Sequence, residues 1–477
     1  MMDYYELRKA VAQVIPRSHR ITGDRMRVRA VKEKGRKSGY AEYKLSQQEW
    51  VKQERLLNVD EVSSFIEVSC RAHACPMPLN IDIWDGLICP YNCCYCFANS
   101  FRASLYTAFF DNSKTMGMRH CNTAKYKREL DKLFHQYRGK NSHDINNPVA
   151  KAIAMEIPIR FGIRFEDFLR QEEKSGISLE MLKYLAKCKY PLMVNTKSVL
   201  IGQDIYVRAL SHNKVKTAVH ITLISSNNNL LKALEPGAPS YEDRIGAMKN
   251  LVAGGVRVVA RIEPWMPFVN DDPNDTEKYM QDLKDIGVEH LTFDTYSYSA
   301  NNPGIIQAFR NLNMDWDRIF SIGCESQGFG SILLGSYMKL WQDKGFHCST
   351  FDMGNMPINN QSICCEVGDL FETTAGFNYG CTVMAARYII SKKGQAVSWK
   401  DFCRYVDKHG GFLSKALKDE VLLLWDFLGK DAYSHAWSAG MEIGGCDENG
   451  HMLWKYNSDS DFRQDLLKGV GIDVSCK

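Results

Sequence analysis

Short apolar runs alternate with longer stretches of helical period through the middle of this 477-residue chain, and that alternation sets the expected fold. Ile81 to Trp84 reads as a strand, and a second apolar run covers Ala152 to Phe161. Leu179, Leu182 and Leu185 then share one face of a helix. Leu192 to Thr196 and Ala218 to Leu223 read as strands. A helix with Ile245, Met248, Leu251 and Val252 on one side stops at Gly254-Gly255. Strand Val256 to Ile262 follows and breaks at Pro264. A short helix carrying Tyr279, Leu283 and Ile286 leads through Gly287 to strand Val288 to Phe293. Strands separated by helices imply a parallel sheet. Six of them before residue 300 suit an α/β fold, a partial (β/α)6 barrel of the TIM type.

The ends of the chain read differently. Residues 1–75 form a polar, basic N-terminal extension, 76–300 the barrel core, and 301–385 a completion of the barrel with a second group of cysteines. Residues 386–477 are expected to be mostly α. The strongest helix there lies between Gly411 and Gly429, with Leu413, Leu417, Val421, Leu424 and Leu428 on one stripe. Asp447-Glu448-Asn449-Gly450 reads as a hairpin turn.

Composition adds exclusions. At 45% hydrophobic and 24% charged, the chain has ordinary material for a large core. No apolar run approaches the roughly 20 residues that span a bilayer, so no membrane partner is expected. Met1 to Ala10 is charged and lacks the apolar stretch of a signal peptide, which leads us to expect a cytoplasmic protein. Sixteen cysteines in such a compartment point to metal binding or buried thiols rather than disulfides. The net charge of +4 is uneven: between Arg17 and Arg55 stand twelve Lys or Arg against five Asp or Glu. Arg25, Arg27 and Arg29 would share one face of a strand and could meet the phosphates of DNA. A solvated basic arm without a specific partner fits the same residues.

The sharpest chemical signal is Cys89-Pro-Tyr-Asn-Cys93-Cys94-Tyr95-Cys96-Phe97, with the spacing C-x3-C-x2-C. Three thiolates from one tight loop can hold three irons of a cubane and leave the fourth without a protein ligand. The alternative is structural zinc on Cys93 and Cys96, with Cys70 or Cys75 completing the set. Cys94 is expected to face away, since a fourth thiolate would block the open iron. Cys348, Cys364, Cys365 and Cys381 contain no close C-x2-C pair; a second metal site or buried thiols are both open readings. Cys324 and Cys348 are candidate hydrogen-atom donors.

The three cysteines, with aromatic Tyr95 immediately before the last, resemble the radical S-adenosylmethionine (SAM) superfamily. The resemblance implies a [4Fe–4S] cluster on Cys89, Cys93 and Cys96, with SAM chelating the open iron through its amino and carboxylate groups. An external one-electron reductant of the flavodoxin or ferredoxin type would supply the electron that yields a 5′-deoxyadenosyl radical. Tyr95 would lie near the adenine. Within the superfamily, Ile81 to Asp294 is similar to the spore photoproduct lyase branch. Asn195-Thr196-Lys197-Ser198 matches its Thr-Lys strand end, which implies that Lys197 helps bind SAM, and Thr222 stands where the branch has a serine on the next strand. Leu234-Glu235-Pro236-Gly237-Ala238-Pro239 followed by Arg244 is similar to its Glu-Pro-Gly…Arg element, implying an ion pair that shapes the substrate mouth or serves structure alone. Pro264, Pro267, Asn270 and Asp271 match the loop after its fifth strand.

Two departures limit what is implied. The branch has a cysteine near the end of its second strand that returns a hydrogen atom; Ile157 to Asp167 has none, so the repair reaction itself is not implied. Its Gly-Gly-Glu contact to the SAM amino group is replaced here by Glu166 or Asp167. Arg160, Arg164 and Arg261 stand at predicted strand ends facing the cavity and suit an anionic substrate, with Arg261 also counted among the cofactor-binding residues. Asp294, Tyr296 and Tyr298 follow the sixth strand as candidate proton donors or radical relays. The expected function is a lyase- or isomerase-type radical SAM reaction on a modified or damaged pyrimidine in DNA. The alternatives are modification of a peptide or small anionic metabolite, and a zinc-stabilised nucleic-acid-binding protein.

Overall fold

The structure, a computed structural model, describes residues 3–14, 60–62, 67–68, 79–85, 89–96, 98, 119–145, 147–163, 165–212, 216–296, 303–320, 322, 329–361, 364–371, 388–408, 422, 425, 441–457, 467–469 and 471–472. In chain order these form α1 (Tyr4–Val14), β1 (Asp60–Val62), β2 (Glu67–Val68), β3 (Leu79–Ile81), β4 (Trp84–Asp85), β5 (Arg119–Cys121) and α2 (Thr123–Tyr137). Then follow α3 (Pro148–Ala154), β6 (Ile159–Phe161), α4 (Glu172–Ser175), α5 (Ile177–Lys187), β7 (Leu192–Thr196), α6 (Asp204–Ser211) and β8 (Thr217–Thr222). The second half holds α7 (Asn228–Leu234), α8 (Tyr241–Ala253), β9 (Arg257–Trp265), α9 (Pro273–Asp285), β10 (His290–Thr295), α10 (Pro303–Asn311), α11 (Trp316–Phe320), α12 (Phe329–Asp343) and β11 (His347–Thr350). The C-terminal region contributes α13 (Trp399–Lys408), β12 (Met441–Cys446) and β13 (Met452–Tyr456).

Seven parallel strands form one sheet in the order β3-β6-β7-β8-β9-β10-β11, with β2 antiparallel on its β3 edge. Helices connect successive strands, so this is the α/β barrel-type sheet expected, extended by a seventh strand whose short sequence His-Cys-Ser-Thr carries little apolar signal. Every residue of β7 and β8 is buried, because both faces of the sheet are covered. Val194, Val219, Ile221, Leu291 and Phe293 belong to the main core together with Leu182 and Leu185 of α5, Met248 and Leu251 of α8, Leu283 of α9 and Trp341 of α12. The opposite row is separate. Met193, Ala218 and Val259, near the starts of their strands, pack against Val367 and Phe371. Residues 364–371 thus plug the N-terminal end of the barrel lumen. Glu366 ties the plug to β10 and β11, through His290 Nδ1 at 3.0 Å and a short bond from the Ser349 hydroxyl. Asp369 ties it to β9 through Arg257 at 2.6 Å.

Three boundaries differ from the sequence expectation. The first barrel strand is β3, Leu79–Ile81, not Ile81 to Trp84. The Asp167 carboxylate accepts the Ile83 and Trp84 N–H groups at 2.8 and 2.9 Å, which turns the chain out of the sheet. Trp84 then pairs with His120 in a small sheet of order β1-β5-β4. Ala152 to Ala154 closes α3, leaving only Ile159–Phe161 as strand. Strand β9 does not break at Pro264 but runs to Trp265. A bulge there, between the pairs Phe293–Ile262 and Thr295–Trp265, accommodates the missing N–H.

The N-terminal helix docks on the loop after β9: Arg8 meets Asp271 at 3.1 Å, and Tyr4 donates a short bond to the same carboxylate. The basic run Arg25 to Lys37 lies outside the described residues, as does most of the Gly411–Gly429 helix. The hairpin turn at Asp447 to Gly450 joins β12 to β13. Among the described residues no helix is long and apolar enough to cross a membrane.

Candidate active site

The cysteine loop folds as two consecutive tight turns, with Asn92 N–H bonding to the Cys89 carbonyl and Cys96 N–H to that of Cys93. It rests on the chain that leaves α7. Cys94 N–H donates to Leu234 O at 2.9 Å, and Gly237 N–H to Tyr91 O at 3.1 Å. The approach at Gly237 is so close that a Cβ there would stand 2.1 Å from the Pro90 carbonyl oxygen. Tyr95 completes the seat by donating its hydroxyl to Glu235. Glu235 in turn meets Arg244 at 2.5 Å, both side chains fully buried. Arg244 also donates to Thr222 O at 2.9 Å and to Pro239 O at 2.7 and 3.0 Å. The Glu-Pro-Gly…Arg element is therefore the cradle of the cysteine loop. Thr222 enters this network through its carbonyl, at the end of β8.

Lys197, just past β7, comes to the same loop, its Nζ 5.5 Å from the centre of the Tyr95 ring. Burial works against its charge, but Cys93 and Glu235 hold it above the ordinary lysine range. Glu166 fixes the strand end below it, accepting from Thr196 Oγ1 at 2.6 Å, Lys197 N at 2.9 Å and Phe168 N at 3.0 Å. Asp167 accepts from Gly162 N at 2.8 Å as well as from Ile83 and Trp84. Both carboxyls are pushed up by burial. As folded, each accepts three hydrogen bonds, Glu166 from backbone and hydroxyl donors and Asp167 from backbone N–H groups, which shape the strand ends around the loop.

The donor set fits an iron–sulfur cubane in its chemistry. Cys93 is buried, which raises its thiol; Lys197 opposes this, and Glu235, Cys96 and Cys89 add to it, so the three thiols already feel one another. Cys94 is raised in the same way, by burial and then Glu235, to about 12. Among the described residues no three His, Cys, Asp or Glu side chains are gathered to metal-binding positions. If the loop cysteines are ligands, they are not pre-assembled as folded.

Below the loop, inward-facing residues line the lumen between Lys197 and the plug. Arg160 donates to Asn80 at 2.9 Å across β6 and β3. Arg261 pairs closely with Glu263, two residues along the same face of β9. Burial opposes the Glu263 charge, yet Arg261 holds its carboxyl below the usual range. Asp294 is pushed well up by burial, then by Glu263 and Asp352. His220 is held neutral by burial and by the positive fields of Arg261 and Arg160. Sequence reasoning missed Glu263, Asn195 and His220; the spacing of two from Arg261 was the one available signal for Glu263.

The remaining candidates fall elsewhere. Tyr296 is buried, packing edge-on against Trp316 with its N–H bonded to Trp265 O, which makes it a packing residue in this arrangement. Cys348 lies on the outward row of β11, alternate to inward Ser349, and so does not share the lumen with the plug cysteines Cys364 and Cys365. A single metal site joining all of them is not seen among the described residues. Arg164, Tyr298, Cys324 and Cys381 lie outside the described residues.

No protein-family model matches the chain, and no curated protein sequence matches it. Among solved structures it is similar to two variants of a spore photoproduct lyase, one with a dinucleoside spore photoproduct. Both are 14% identical to it, with TM-scores of 0.36 and 0.38, covering 53% and 54% of this chain and 65% and 66% of theirs. It is also similar to the cobalamin-dependent S-adenosylmethionine radical enzyme OxsB with aqua-cobalamin bound, at 12% identity and a TM-score of 0.28, over 50% of this chain and 30% of that one. The chain thus spans under two thirds of each of these structures.

Proposed function

We propose that this chain is a radical SAM enzyme whose substrate is a pyrimidine base, in the setting of DNA. The observation that carries the first part is the C-x3-C-x2-C loop seated on Leu234 to Gly237 at the C-terminal mouth of a parallel barrel, with half-buried Lys197 beside it. Cys89, Cys93 and Cys96 would hold the cluster, and Lys197 is the cation suited to the SAM carboxylate. When bound, the cluster supplies the electron that cleaves SAM and generates the deoxyadenosyl radical. The chain's own residues position and shield that event. Tyr95, Glu235 and Arg244 keep the loop rigid, Glu166 fixes the Lys197 backbone, and the plug around Val367 and Phe371 closes the lumen to water from below. The basic segment Arg25 to Lys37 suits a polyanionic substrate.

Anaerobic reconstitution followed by metal analysis tests the cofactor: about four irons per chain are expected, and a colourless protein with a single zinc would defeat the proposal. DNA retention that falls steeply with salt, and that is lost when residues 17–55 are made neutral, is the outcome expected for the substrate class. Unchanged retention in the neutralised protein would remove the segment's role.

A further inference from the structure

Among the lumen's polar side chains, Asn195 and His220 each leave a buried atom without a hydrogen-bond partner, as does Thr292 of β10. Asn195 of β7 and His220 of β8 are in register on adjacent strands, and both are over nine-tenths buried. They share the inward row with Met193 and Ala218, which meet the plug. Asn195 Oδ1 and His220 Nε2 have no hydrogen-bond partner among the described residues. A buried polar atom without a partner costs free energy and is uncommon in a folded core. Two such groups side by side, on strands about 4.8 Å apart, mark a place built for a ligand.

The chemistry of the two groups selects that ligand. An amide oxygen without a donor repels a carboxylate or phosphate and calls for an N–H or O–H donor. His220, kept neutral by burial and by Arg261 and Arg160, can turn one ring N–H toward a carbonyl oxygen. A flat ring with an N–H next to a carbonyl satisfies both at once, and the imide edge of a pyrimidine has that arrangement. We propose that Asn195 and His220 read the imide edge of a pyrimidine base held in the barrel lumen, Asn195 Oδ1 taking the ring N–H and His220 donating to the adjacent carbonyl. The proposal deepens the functional reading above, on which its choice of a base rests. It makes Asn195 and His220 specificity-determining residues, below the cysteine loop and above the Val367–Phe371 plug.

The test is equilibrium binding of thymidine and N3-methylthymidine to the full chain as purified, without cluster reconstitution, with and without SAM. Thymidine is expected to bind saturably, and N3-methylthymidine, which has lost the N–H, about tenfold more weakly. Asn195→Leu and His220→Phe should each weaken thymidine about tenfold, while their thermal midpoints stay level or rise, because each removes an unpaired buried polar group. Equal binding of the two nucleosides, unchanged affinity in the variants, competition by SAM or no thymidine binding at all overturns the proposal. Competition by SAM would mean that the two groups serve the adenine of SAM instead, and unchanged variants that they hold water. The comparison of the two nucleosides needs no variant to fold. Because binding is read without the cluster, it can succeed where 5′-deoxyadenosine formation fails, and the reverse.

Discussion

The cysteine loop and the lumen below it are built to opposite standards of polar satisfaction. Around the loop, the groups at the seat are paired: Tyr95 with Glu235, Glu235 with Arg244, Arg244 with two carbonyls, Cys94 N–H with Leu234, Gly237 N–H with Tyr91. A few residues deeper, Asn195 and His220 stand without partners. The difference follows from what each region must do. In the proposed function the loop would carry the redox step and gain from rigidity, which a buried network achieves only when its members are satisfied. A lumen that takes a substrate must keep hydrogen-bonding capacity in reserve, at some cost in stability.

That contrast can be broken most forcefully at Arg244. Arg244→Met leaves the buried Glu235 carboxylate without its counter-charge and should cost about 3–5 kcal/mol of stability, read by denaturant unfolding; a loss under about 1 kcal/mol would mean that the pair is incidental to the seat. Gly237→Ala comes next. Its Cβ would be forced against the Pro90 carbonyl, at about 1–3 kcal/mol, with iron retained per chain falling several-fold; full iron loading would show that the loop does not need this seat. The smallest effect, and the one of opposite sign, belongs to the lumen. His220→Phe should stabilise the protein by about 1 kcal/mol at neutral pH.

The pH dependence of that variant sharpens the comparison. The unfolded chain takes up a proton at this imidazole near pH 6.5, whereas the folded chain does so only at lower pH. The unfolded state therefore binds more protons below pH 6.5, and the wild type loses stability there as the pH falls. His220→Phe lacks this loss, so the gap between the two proteins should widen as the pH drops from 7 to 5. A constant gap would show that the imidazole titrates normally in the fold.

The cysteine loop, Lys197 and the Glu235–Arg244 pair were legible in the sequence because short chain segments bring their chemistry together. The six expected strands were legible too, to within a few residues. The lumen was not. In strands covered on both faces, Met193-Val194-Asn195 and His220-Ile221-Thr222 give no sign of which residue points inward. The plug at 364–371 is recognisable only once β9, β10 and β11 are assembled, since its partners Arg257, His290 and Ser349 lie on three strands. The end of β3 was misread because a side chain distant in sequence, Asp167, captures the Ile83 and Trp84 N–H groups that alternation alone would assign to the sheet.

The most direct test of the central claim is 5′-deoxyadenosine formation by the anaerobically reconstituted protein with SAM and dithionite, run beside Cys93→Ala. The account predicts product from the intact loop, with or without a pyrimidine substrate present, and none from the variant. No product from an iron-loaded protein under either condition, or equal product from Cys93→Ala, would contradict it.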